Sequence, residues 1–142
     1  MDNLKDFLNS LEIEKTKVIG KVDEIIKETT FSVVSALLDP RSEGGTPILT
    51  GWLASNWHIS IDSPSMEVYG TKKSVNTAVS KQNSSMDTFM NTDITEHNII
   101  YINNSVPYGP KVNYGDGMRA PQNFREHGIA GGEFYLRGAK IK

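Results

Sequence analysis

With 142 residues, of which 37% are hydrophobic and 23% charged, the chain has enough apolar side chains for one modest core, and a disordered segment is excluded. The absence of cysteine excludes a disulfide framework and thiolate chemistry, whether metal-binding or nucleophilic. The formal net charge of -2 is uneven: Asp39 to Pro110 carries four basic and seven acidic residues and Lys111 to Lys142 six basic and three acidic, so the C-terminal arm is mildly basic.

From Asp2 to Leu38, apolar residues recur at Leu4, Leu8, Leu11, Val18, Val22, Ile25, Val33 and Leu37, steps of three, four or their sums. That spacing puts them on one stripe of a long amphipathic helix, with Lys5, Asp6, Glu12, Glu14, Lys17 and Lys21 among the charged residues on the rest of its surface. Asp39-Pro40 gives the helix its stop. Unbroken, it would be roughly 50–55 Å long. Such a helix overreaches a globule built from the remaining residues, so part of the stripe is expected to pack on something else. The alternative is a break near Asn9 and Ser10 or at Gly20, giving two ordinary core helices. Sustained heptads with matched charges are absent, so an ordinary two-stranded coiled coil is not the favoured partner geometry.

Arg41 to Pro47, with Gly44 and Gly45, has the composition of an exposed, flexible connection that orders on contact. Thr50 can cap a short helix ending around Asn56. Trp57, Ile59 and Ile61 alternate with His58, Ser60 and Asp62, the period of a strand whose buried face carries Trp57 and whose other face turns His58 to solvent or a subunit boundary. Val75, Val79, Met86 and Phe89 keep near-helical spacing and predict a second helix over Lys72 to Met90. Ile99-Ile100-Tyr101-Ile102 is the densest strand-favouring run. Val106 to Gly115 reads as a turn or short irregular helix with Tyr108 and Tyr114 as aromatic anchors. The arm from Asp116 onward holds too many glycines for a continuous regular element, with a short strand at Glu133 to Leu136.

Chemistry-bearing patterns are sparse. His58, His97 and His127 fall on separate segments, and none has a second histidine or a carboxylate at a helical ligand spacing, so no metal or other cofactor is expected. Asp62, Glu67, Asp87, Asp93 and Glu96 are scattered through polar surface without a motif. No serine lies in a G-x-S-x-G setting, and no phosphate-binding glycine loop is present. The basic residues Lys72, Lys73, Arg119, Arg125 and Arg137 are too dispersed for sequence-specific DNA binding, though nonspecific proximity to DNA needs no motif. No stretch reaches the ~20 apolar residues of a membrane span, and the N-terminal residues do not read as a signal peptide. The expected protein is therefore a non-enzyme. The rival readings are a small metal-independent hydrolase or nuclease using His58, His97 or His127 with Asp62, and a cytoplasmic binding module.

The order of elements, with Thr46-Pro47-Ile48-Leu49-Thr50-Gly51-Trp52-Leu53-Ala54-Ser55-Asn56-Trp57 followed by Ile99 to Gly109 and Val112-Asn113-Tyr114-Gly115, resembles the neck and tail-completion protein family of long-tailed bacteriophages, being similar to the lambda minor tail protein Z. Thr50, Gly51 and Ser55 match the family's first block; Asn104, Tyr108 and Gly115 match its second, and Trp57 and Tyr114 complete the two segments. Trp52 stands where the family often has a basic residue, and Asn113 or Tyr114 where it often has an acidic one.

The resemblance implies an α+β domain spanning residues 1–142, with the long N-terminal helix and a second helix packed on a small, mainly antiparallel sheet. Glycine-rich loops and an extended arm, 116–142, complete it. It also implies a homo-oligomeric ring, six-fold or twelve-fold, at the head–tail junction of the virion, assembled in the host cytoplasm. The ring would lie against head-closure or connector, tail-terminator or tail-tube proteins and near packaged DNA, with no membrane involved. Arg41, Gly44, Gly45, Trp52, Arg119, Phe124, Arg125, Phe134 and Tyr135 are the candidate subunit contacts. Removal of residues 116–142 is expected to leave a folded subunit that cannot join heads to tails.

Overall fold

The computed structural model describes residues 3–48, 51–95, 97–115 and 121–138. Helix α1 runs unbroken from Asn3 to Leu37, so neither Asn9-Ser10 nor Gly20 interrupts it. A 3-10 turn at Arg41–Glu43 follows, then strand β1 (His58–Ile61), helix α2 (Asn76–Met90), strand β2 (Ile100–Asn103), helix α3 (Gly109–Tyr114) and helix α4 (Phe124–Gly138). The strands form a two-stranded antiparallel sheet with His58 opposite Asn103 and Ile61 opposite Ile100. The architecture is the α+β arrangement read from the sequence.

Two core clusters share Ile102. Leu37, Leu53, Trp57, Val106 and Phe124 form one; Val34, Ile59, Phe89 and Ile94 form the other. The C-terminal half of α1 thus lies between two packed surfaces, with α4 on one side and the sheet and α2 on the other. The anchor at its upper end is polar: Asp23 takes an ion pair from Lys27 at 2.9 Å and the Ile94 amide at 3.1 Å. At its lower end the Leu37 carbonyl, which the helix cannot satisfy, accepts both the amide (2.8 Å) and the hydroxyl (2.7 Å) of Thr46. The Thr46 hydroxyl also receives the Trp57 indole N–H at 3.0 Å, so one buried threonine ties the helix end to the first core.

The C-terminal arm departs from expectation. It contains no strand at 133–136 and is not extended; Phe124 to Gly138 is a continuous helix lying antiparallel on α1. The glycines that argue against a helix are what lets it dock. A Cβ on Gly128 would stand 2.6 Å from Leu37 Cδ2, one on Gly131 2.7 Å from the Ala36 methyl, and one on Gly132 2.5 Å from Val33 Cγ2. Their i, i+3, i+4 spacing makes a smooth strip, and the gain from close helix packing exceeds the propensity cost of glycine, about 1 kcal/mol each. Beyond the strip the Tyr135 hydroxyl donates to the Glu28 carboxylate, a bond that raises the phenol pKa to about 12.

The 41–47 segment is also corrected. Gly45, Thr46 and Pro47 are buried, and the loop is ordered by its own subunit. Gly44 takes a left-handed φ of 104°, and a side chain at Gly45 would meet the Asp39 carbonyl oxygen at 1.8 Å. The short helix expected over 50–56 is a single turn, closed by the Ser55 amide on the Gly51 carbonyl at 2.9 Å. In α2 the buried positions are Ala78 and Phe89; Val79, expected on the buried stripe, is exposed.

Gly20 has open space around it, whereas Gly128 has none. Gly20→Ala should therefore raise stability by about 0.5–1 kcal/mol and Gly128→Val should lower it by roughly 1–3 kcal/mol. Urea unfolding midpoints measured for the two variants check both signs. Deleting residues 116–142 removes Phe124 and uncovers α1, so the truncated chain should be unfolded by circular dichroism, contrary to the expectation of a folded subunit.

Candidate subunit-contact surface

Most of the residues that carry the family resemblance build the interior. The Ser55 hydroxyl is buried and donates to the Gly51 carbonyl. Trp57 packs edge-on against Phe124, ring centroids 5.9 Å apart. Asn104 donates to the Leu53 carbonyl at 2.6 Å and accepts the Val106 amide at 3.1 Å, so it links the first motif block to the second. Tyr108 tilts against Trp52 at 5.8 Å, with the Lys72 ammonium 5.2 Å from its ring centre. Gly115 closes α3 through its amide on the Lys111 carbonyl. Tyr114 is 56% exposed and is no anchor. Thr50 lies outside the described residues.

The expected contact residues divide. Arg41 is exposed and donates to Gln122 at 2.9 Å; Arg125 is exposed, 3.6 Å from Glu126. Phe134 is the most open large apolar side chain among the described residues, at 82%. Trp52 is half-buried and donates to the Tyr69 carbonyl at 2.9 Å. Tyr135 is half-buried on Glu28, and Gly44 half-buried against His127. Two are corrections: Gly45 is buried, and Phe124, at 3% exposure, belongs to the core because it caps the Trp57 ring. Arg119 lies outside the described residues.

No family model, no curated protein and no solved structure matches the chain.

The histidines do not share a site. His127 pairs with Asp39 at 2.9 Å beneath Gly44, while His97 lines a cleft beside α1. His58 is buried rather than solvent-facing. Its ring stands edge-on to Tyr69 at 5.1 Å and meets Asn56 Oδ1 at 3.3 Å. Asn56, fully buried, also donates to the Trp52 and Tyr69 carbonyls and accepts the Tyr69 amide, holding the 51–57 turn against the 65–70 segment. Sequence reading missed this hub, since an asparagine between an apolar run and a strand is an ordinary turn signal. Asp62, the proposed partner for a histidine, is engaged by Asn98 at 3.0 Å and the Ile99 amide at 2.9 Å. Among the described residues no cluster of three or more metal-ligating side chains occurs.

Between β1 and α2 runs a groove of about 400 Å³, lined by His58, Ser60, Tyr69, Lys81 and Phe89 among others. The amides of Trp57 and Ile59 on this free edge of β1 are taken by Gln82 (2.7 Å) and Ser85 (3.4 Å), which block it to another strand.

A run of exposed apolar side chains lies elsewhere. Residues 3–20 of α1 are exposed throughout, and Leu4, Phe7, Leu8, Leu11, Ile13, Val18 and Ile19 are each between 47% and 59% exposed. No described helix is long and apolar enough to cross a membrane. Water is a poor partner for so many large apolar side chains on one element, since burying each would contribute about 1.5–3 kcal/mol.

Two titrations follow from the geometry. Burial pushes the His58 pKa below 6.5, partly offset by the nearby Glu67 charge. A histidine held neutral in the fold contributes stability that is complete above the unfolded value and lost as pH falls through the folded one. For Asp23, burial opposes ionisation, but the Lys27 ammonium and the Ile94 amide outweigh it and hold the carboxyl below 3.8. Its contribution persists above that value and is lost only in stronger acid. Melting temperature should therefore decline in two steps as pH falls. His58→Gln should flatten the step below about pH 6.5, and Asp23→Asn, costing about 1 kcal/mol at neutral pH, the step below about pH 4.

Proposed function

We propose that the chain is a structural assembly subunit and, following the resemblance of its 46–57 and 99–115 blocks, that it forms the ring joining head and tail in a long-tailed bacteriophage. The observation that supports an assembly role is the free N-terminal half of α1. A helix of 35 residues spans about 52 Å, and only its C-terminal half is clasped by the subunit. The motif residues form a firm core beneath it, and Phe134 beside the middle of α1 and Arg41 and Arg125 at its far end add exposed points of contact. In this reading the helix tip and the outer face of α4 meet neighbouring polypeptides, and the mildly basic C-terminal region lies toward packaged DNA. The hydrolase reading needs a histidine and Asp62 in one cleft, whereas His58, His97 and His127 have separate surroundings.

Mass spectrometry and immunogold labelling of purified particles test the proposal. The chain should be present at ring stoichiometry and labelled at the head–tail junction. Leu8→Glu/Leu11→Glu, which touches no core residue, should leave the circular dichroism spectrum unchanged and yield unjoined heads and tails. Particles lacking the chain, while the folded protein stays in the cytoplasmic fraction, would favour the binding-module reading instead.

A further inference from the structure

The stripe Leu4, Leu8, Leu11, Lys15, Val18, Val22 advances in steps of four, three, four, three and four, and reads the same from either end. On a helix with 3.6 residues per turn it points within roughly 30° of the face that α4 covers through Thr29, Val33 and Ala36. The track filled by α4 from Glu28 downward therefore continues for about 27 Å from Val22 toward the N terminus, exposed over residues 3–20. At its inner end Lys15, Val18, Ile19 and Val22 form, with Thr95 and His97, a cleft of about 310 Å³.

We infer that the occupant of this track is the same segment of a second copy, running antiparallel, so that the free subunit is a two-fold dimer. Leu4 then lies opposite the second copy's Val22, Leu8 opposite Val18, and Leu11 opposite Lys15. The tip of each helix, Leu4 and Leu8, enters the other's cleft beside Ile19. Phe7 covers the second copy's Val18, which accounts for the two exposed apolar side chains, Phe7 and Ile19, that flank the stripe.

Charge selects the direction. In a parallel pair the two Lys15 ammonium groups would face each other in the seam, whereas in the antiparallel pair each Lys15 lies beside the second copy's Glu12. Glu14, at the rim, already has Lys17 of its own helix 3.5 Å away. Space selects the same direction. A parallel copy would drive its own α4 into this one, since both occupy the same track. The contact is isologous and closes at two copies, so it cannot itself build a ring; it belongs to the unassembled subunit and does not rest on the virion reading.

The absence of cysteine makes the test direct. Leu8→Cys and Val18→Cys proteins, mixed and oxidised, should cross-link to each other, while Leu8→Cys alone should not. Analytical ultracentrifugation should show a monomer–dimer equilibrium for the full chain. Lys15→Glu should weaken it by roughly tenfold or more, and Glu12→Lys/Lys15→Glu should restore it. Circular dichroism should not change in any of these variants, because the altered side chains are exposed and belong to neither core cluster. Self-cross-linking of Leu8→Cys, which reports a parallel pair, or a monomer at every concentration up to several hundred micromolar, would overturn the inference.

Discussion

The close approach of α4 to α1 is the constraint on which the rest of the molecule depends. Gly128, Gly131 and Gly132 bring the two backbones near enough for Leu37, Ala36 and Val33 to fill the place of absent side chains. That contact places Phe124 against Trp57, and Trp57 in turn fixes Thr46 and the end of α1. A chain of direct contacts thus runs from the last helix to the first. The glycines weaken α4 as an isolated helix and make it stable only where α1 lies beneath it, so its formation is coupled to the tertiary fold.

Around this axis, polar groups take over where a small core runs out of apolar side chains. Asn56, Asn104 and Asn113 are placed so that their amides satisfy backbone groups of segments far away in sequence. Asn113, for example, accepts the Arg125 amide at 2.9 Å and so pins the start of α4 to α3. Asp62 does the same at the sheet end, tolerating a left-handed φ of 66° while both its oxygens are hydrogen-bonded. A two-stranded sheet is marginal by itself, and here it is held by α2 on its edge and by α1 beneath.

The same economy explains the division of α1. Its C-terminal half is wedged between two clusters and can bury apolar side chains on two sides. Its N-terminal half, residues 3–20, is exposed among the described residues, yet keeps the apolar stripe. A helix that served only to bridge solvent would be polar all round, which this one is not. His58, His127 and Asp62, by contrast, have partners within the fold: Tyr69 and Asn56, Asp39, and the Asn98-Ile99 end of the sheet.

The sequence by itself determined the elements whose signals are local. The 3.6-residue period from Leu4 to Leu37 gave α1 and its stop at Asp39-Pro40, alternation gave β1, and the Ile99 to Ile102 run gave β2. That the helix would outreach its own domain followed only if it was unbroken, and the sequence left a break at Asn9-Ser10 or Gly20 open. Only the tertiary structure decided the rest. Glycine reads as a helix breaker until a second helix arrives to fill the space it leaves, so α4 was invisible locally. Alternation assigns one face of β1 to water, but α2 covers its edge and Tyr69 its other face, which buries His58. Asn56, Thr46 and Asn113 resemble turn residues because their partners lie on other elements, and burial and hydrogen bonding between distant segments leave no periodic trace in the chain.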